Sequence, residues 1–300
     1  MGVPEEQTSC PGKSNVDPED LFLPGRCGDD LEITEVLGSG TRETITGQDG
    51  TENPACCYPV EVTDNDPGGE CVVGRPYFED GQALVPALVR EGGETGLDAE
   101  RAAAWAKAGA AEHASIAAFA RLALQLLSHG APSALLDGVH RAALDEIRHA
   151  EVCFSLVEKF GGARVRAGAF PLTGTDSSVS LADLAAAAVL EGCLAETLGA
   201  HVTEVAASLA PEPDVRSALA SIAAEEATHA VLSFRIVAWA LRTGGPEVRA
   251  AARAALERPW PRLDVAELAV RSQVDVSLLA RAADRGVAEL LEPAVAQLFS

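Results

Sequence analysis

Glu146-Ile147-Arg148-His149 and Glu226-Ala227-Thr228-His229 are the two places where this chain sets a glutamate and a histidine three residues apart inside an apolar, helix-forming stretch. Residues at that spacing project from one helix face, so each pair can point at a single ion. Upstream of each pair, at almost the same distance, an earlier apolar stretch holds a single glutamate. These are Glu112, in Ala111-Glu112-His113-Ala114-Ser115-Ile116, and Glu191, in Val189-Leu190-Glu191-Gly192-Cys193-Leu194. Four carboxylates and two imidazoles drawn from four helices make the ligand set of a dinuclear site within a four-helix bundle. Such a donor mixture suits iron, with manganese as the alternative, and holds more carboxylate than zinc usually takes. One Glu-x-x-His arises readily by chance in a chain of 300 residues. Two in matched context weigh against the plainer reading of unrelated surface pairs on amphipathic helices.

Helix signals place these residues. Alanine and leucine take over at about residue 97, and Asp98 caps a predicted helix that runs to Leu127 and stops at Ser128-His129-Gly130. Pro132 opens a second, to Phe160 before Gly161-Gly162, and residues 163–179 form a long connection. Ser180 caps a third, to Leu209, and a fourth runs from Pro211-Glu212-Pro213 to Gly244-Gly245. The first and last links are short, which makes antiparallel hairpins, while the middle one is long enough to return along the bundle. Further helices are expected at 247–257 and 264–298, packed outside the bundle.

The order of four glutamates and two histidines resembles the ferritin-like superfamily of di-iron carboxylate proteins. Asp145-Glu146-Ile147-Arg148-His149 is similar to the Asp-Glu-x-Arg-His element of its oxygen-activating members, whereas Glu225-Glu226-Ala227-Thr228-His229 keeps only the acid before the ligand. The resemblance covers about residues 98–243. Over its whole length the chain resembles bacterial ferritin-like proteins with a cysteine-bearing leader. What this implies is a bundle with one long crossover and a metal pair held by Glu112, Glu146, His149, Glu191, Glu226 and His229. The reaction is less determined, because this fold hosts several chemistries.

Neighbouring residues suggest supporting roles. Asp145 and Glu225 precede the ligand glutamates, and each can accept a hydrogen bond from the imidazole of the opposite Glu-x-x-His helix. Arg148 can pair with one of these acids. Trp105 and Phe119 flank Glu112 at seven-residue intervals, and Cys153 reads as a small core residue. In the third helix, superposing the hairpins sets Glu191 opposite Glu112. Glu196 stands about 140° away at 100° per residue. Glu191 is therefore the expected ligand, although a helical bulge near Gly192 would admit Glu196.

The remaining sequence bounds the partners. Net charge is −22, with the acid excess concentrated in the first hundred residues, which argues against nucleic acid and anionic membrane. No uninterrupted apolar run is long enough for a membrane span. Of seven cysteines, Cys10, Cys27, Cys56, Cys57 and Cys71 lie in the leader, and none forms a Cys-x-x-Cys pair. A built-in rubredoxin-like module is thereby excluded and any electron donor is external. Five leader cysteines point to disulfides and export, with a cytoplasmic protein as the alternative because no signal peptide is recognisable. The expected organisation is an acidic leader over 1–96 with brief strands, a bundle over 97–243 and a helical extension over 244–300. The leader is read as an accessory away from the metal site.

Three functions follow. The first is an oxidoreductase acting with dioxygen or peroxide on a small molecule. The second is a ferroxidase or storage protein, which requires a homo-oligomer. The third is a bundle with a purely structural metal. Tyr58 and Tyr77, the only tyrosines, lie in the leader, so no tyrosyl radical is expected on the bundle helices.

Overall fold

The computed structural model describes residues 31–36, 41–46, 52–57, 60–64, 75, 77–79, 82–92, 98–172, 179–258, 263 and 265–299, the part before residue 65 as backbone pairing. The chain divides into two compact units, Met1–Glu70 and Cys71–Ser300. In the first, β1 (Leu31–Val36) will pair with β4 (Val60–Asp64), and β2 (Thr41–Thr46) with β3 (Glu52–Cys57), both antiparallel. Cys10, Cys27 and Cys71, and the side chains of Cys56 and Cys57, lie outside the described residues, and the expected leader disulfides with them. Cys153 and Cys193 are buried free thiols.

The second unit begins well before the expected boundary at residue 97. Its strands are β5 (Tyr77–Glu79), β6 (Gln82–Leu84) and β7 (Leu88–Glu91). Four helical stretches follow. α1 (Ala99–Ser128) starts where the Asp98 carboxylate accepts from the Arg101 amide at 3.1 Å. α2 (Ser133–Gly161) ends at Gly162, whose φ of 74° provides the left-handed turn. β8 (Arg164–Ala167) then pairs antiparallel with β7, so the long connection contains a strand that hydrophobic periodicity did not predict. The third stretch comprises α3 (Leu181–Ala187), capped by Ser180, a π-helical segment (Ala188–Glu196) and α4 (Thr197–Leu209). The fourth is α5 (Pro213–Thr243), with proline in its first turn.

Two apolar clusters reveal the direction of each helix. One contains Leu122 and Leu126, Leu135 and Val139, Leu184 and Val189, and Ile236 and Ala240. The other contains Trp105 and Ala108, Leu156 and Val157, Val202 and Ala206, and Val215 and Leu219. Thus α1 and α5 run from the second cluster to the first, and α2 and the third stretch run the opposite way. The link between two helical stretches that run the same way must travel back along the bundle, which accounts for its length.

The unit is completed by α6 (Pro246–Leu256), α7 (Val265–Ser272), α8 (Val276–Gly286), a π-helical turn (Val287–Leu291) and α9 (Glu292–Leu298). These are integral cover: Val248, Ala252 and Leu291 join the first cluster, and Leu268, Leu279 and Ala282 the second. The helix expected over 264–298 is broken. Gln273 takes φ 57°, and Asp275 caps a new helix by accepting from the Ser277 amide at 2.8 Å. The protein is mainly helical, and among the described residues no helix is long and apolar enough to cross a membrane.

Candidate metal centre

Between the two apolar clusters lies a buried polar layer. Glu112 arrives from α1, Glu146 and His149 from α2, and Glu226 and His229 from α5, all with at most 6% of their surface exposed. One donor atom from each of Glu112, Glu146, His149 and Glu226 falls within a group no wider than 4.8 Å.

The arrangement has two poles. His149 Nδ1 lies 3.6 Å from Glu112 Oε2, 3.6 Å from Glu146 Oε2 and 3.4 Å from Glu226 Oε1. His229 Nδ1 lies 3.2 Å from Glu146 Oε1 and 3.4 Å from Glu226 Oε2. Glu146 and Glu226 therefore each turn one oxygen to each histidine. Donors bound to one ion at about 2.1 Å stand roughly 3.0–3.5 Å apart, so these separations match shared coordination.

The unsatisfied atoms support the same fit. Glu112 Oε2, Glu146 Oε2, His149 Nδ1 and His229 Nδ1 are buried with no hydrogen-bond partner, and such atoms are costly without compensation. The other nitrogen of each ring is committed: His149 Nε2 lies 2.7 Å from Glu225 Oε2, and His229 Nε2 lies 3.1 Å from Asp145 Oδ2. With Nε2–H donating outward, the neutral ring directs the Nδ1 lone pair inward. Arg148 closes this outer layer, donating from Nη2 to Glu225 Oε1 at 3.0 Å and also to Asp145.

Without a cation the layer is balanced by protons. Burial, and then the charge of Glu226, push Glu146 up to about 8 against the opposing pull of both histidines. Burial works against ionised Glu226, yet the close approach of protonated His149 and His229 brings it down to about 2. Burial also opposes charged imidazoles, but Glu146 and Glu226 raise His229 to about 11, and those two with Glu112 raise His149 further.

The third helical stretch departs from expectation. Glu191 does not join the cluster; its side chain is 25% exposed and faces Arg75 Nη1 at 3.6 Å. Glu196 is 1% exposed, close enough to His229 and Glu226 to be influenced by both charges. The cause is the π-helical segment Ala188–Glu196: its i→i+5 bonding brings residues five apart towards one face, whereas a regular helix separates them. Glu191 and Glu196 consequently both face Arg75.

Arg75 is the residue that sequence reasoning missed, and it corrects the picture of a leader remote from the site. Its Nε lies 3.2 Å from Glu196 Oε1, and its Nη2 donates to Ser233 Oγ at 3.1 Å. Its carbonyl accepts from Ser115 Oγ at 2.9 Å, and Arg121 donates to the Phe78 carbonyl at 2.7 Å, pinning the segment to α1. A lone arginine between glycine and proline carries no periodic signal. Phe119 packs edge-on to His229, with ring centroids 5.2 Å apart, and Trp105 sits in the second cluster. Cys153 lies in that cluster too, where burial first and nearby carboxylates next push its thiol up to about 12. Comparison with known proteins returns no protein-family model, no curated protein and no solved structure that matches this chain.

Proposed function

We propose that this chain is a ferritin-like di-metal carboxylate protein. Its centre takes two iron ions, or manganese in their place, and serves an oxidoreductase reaction with dioxygen or peroxide. The observation that carries this reading is the division of Glu146 and Glu226 between the two inward-facing histidine nitrogens. A structural site for one ion has no use for two carboxylates shared between two imidazoles. The helix directions and the long return link agree with the crossover connectivity of that superfamily.

In this reading Glu112 and His149 would hold one ion and His229 the other, with Glu146 and Glu226 each turning one oxygen to either side. Glu196 is the buried carboxylate that the third helical stretch offers on the His229 side, in place of the expected Glu191. When bound, iron supplies redox change and Lewis acidity that the side chains lack. The protein contributes fixed donors, an apolar surround that excludes water, and the Asp145, Glu225 and Arg148 layer that fixes ring orientation. The substrate is a small molecule and the electron donor is external to the chain.

Anaerobic reconstitution with ferrous iron, followed by exposure to dioxygen or peroxide, tests the reading. Rapid oxidation of bound iron with consumption of the oxidant is expected. Bound iron that stays ferrous under both oxidants contradicts the redox role. Cage-sized particles that accumulate ferric mineral would favour storage.

A further inference from the structure

The buried acid that the third helical stretch brings within electrostatic reach of His229 is already engaged. Glu196 Oε1 is paired with Arg75 Nε at 3.2 Å, and Glu196 Oε2 accepts from Ser233 Oγ at 3.2 Å. Ser233 accepts in turn from Arg75 Nη2, so guanidinium, hydroxyl and carboxylate form a closed buried ring. The remaining prong, Nη1, lies 3.6 Å from Glu191, near enough for attraction but beyond hydrogen-bond length. Arg75 is thus shared unequally between two acids five residues apart on the π-helical segment. Glycine at 192 makes room for this, because a Cβ there would collide with Ser233 Oγ and with Arg75 Nη2 at 2.6 Å.

Charge balance indicates what this device does. Glu112, Glu146, Glu196 and Glu226 carry four negative charges, matching two divalent ions. Glu191 adds a fifth, which Arg75 matches. Apart from the outer Asp145, Glu225 and Arg148, these five carboxylates are balanced by two divalent ions together with Arg75, whose guanidinium lies 3.2 Å from Glu196 and 3.6 Å from Glu191. Breaking a buried ion pair is costly unless both partners find substitutes. Here metal is the substitute for Glu196, and Glu191 is the substitute for Arg75.

We propose that Arg75 is a resident cation that competes with the second metal ion for Glu196, and that Glu191 receives its guanidinium when Glu196 turns to metal. This rests on the metal-centre reading above and adds an order of loading: the His149 side fills first, and the His229 side fills against Arg75. Arg75 and Glu191 are positioning residues, and neither contacts the reacting atoms.

Stepwise titration of the full-length protein with Mn2+ alone, with free ion counted by electron paramagnetic resonance, tests the proposal without reference to activity. Wild type should bind in two separated steps. Arg75→Met should tighten the second step about tenfold or more, within the range seen when groups around a metal are altered, and leave the first within about threefold. Glu191→Gln should weaken the second step about three- to tenfold, and the double variant should match Arg75→Met, since Glu191 acts only through the arginine. A folded Arg75→Met protein whose second step is unchanged or weaker overturns the proposal. So does a double variant that loses the second ion. If circular dichroism shows Arg75→Met unfolded, Glu191→Gln and Glu196→Gln decide: the second step must suffer in both, and far more in Glu196→Gln. An unaffected Glu191→Gln, or the reverse order, overturns the proposal. Absence of any Mn2+ binding to wild type would instead remove the metal-centre reading itself.

Discussion

The hairpin of α1 and α2 delivers Glu112, Glu146 and His149 from uninterrupted α-helix, whereas the hairpin ending in α5 delivers Glu226 and His229 from α-helix but Glu196 from a π-helical segment with an arginine lodged against it. In sequence the two are near repeats. In space each contributes a glutamate shared between the two histidines and an inward histidine, but they differ at the remaining carboxylate. The regular hairpin leaves its orphaned acid, Glu112, facing His149. The irregular one has its acid satisfied by Ser233 of α5 and by Arg75, which comes from the segment before α1. A repeat in ligand order therefore does not guarantee equivalent poles, and the asymmetry of this layer resides in Arg75, Gly192 and Glu196.

Removing a bridge should erase the distinction between the hairpins. Glu146→Ala and Glu226→Ala should each lower affinity for both ions by more than about 100-fold, beyond the 10–100-fold typical of residues outside the coordination. Glu112→Ala should weaken only the tighter step. Calorimetric titration with Mn2+ distinguishes these outcomes, and equal losses from all three variants would deny the two-pole geometry.

The outer layer links the hairpins, so Arg148→Ala should lower metal affinity about tenfold by freeing Asp145 and Glu225 together. Its side chain is 52% exposed, so stability should be nearly unchanged. A large loss of stability with unchanged affinity would assign Arg148 a structural role. Gly192→Ala probes the irregular hairpin alone. Overpacking against Ser233 should cost about 1–3 kcal/mol in denaturant unfolding, and a neutral result would mean that the cradle is loose.

Proton linkage gives the smallest effect. In the metal-free layer His149 and His229 are raised and Glu146 is pushed up to about 8, so at pH 6 all three carry protons that metal must displace. Affinity should rise from pH 6 to pH 8 with proton release, measurable by titration in buffers of different ionisation enthalpy. Affinity that falls over this interval would contradict the proton-balanced description.

How far the sequence foretold this follows from the range of each interaction. Glu146 with His149, and Glu226 with His229, are legible because three-residue spacing maps directly onto a helix face. The contacts of Glu225 with His149 and Asp145 with His229 are legible from the same register, since each acid precedes its ligand glutamate. Glu196 is not, because its direction depends on a π-helical segment that a 100° wheel cannot represent; Gly192 was the one local hint. Arg75 is still less legible: it meets Glu196 across 121 residues, and nothing local in its segment predicts insertion. Likewise β8 needs β7 to exist as a strand, and the break at Gln273 interrupts an otherwise helical pattern.

Metal content per chain tests the central claim most directly. Protein reconstituted anaerobically with ferrous iron, desalted and subjected to elemental analysis should hold two ions per chain, falling to none in the folded His149→Ala, His229→Ala double variant. A wild-type protein that holds no iron, or a double variant that holds as much as wild type, would contradict the account.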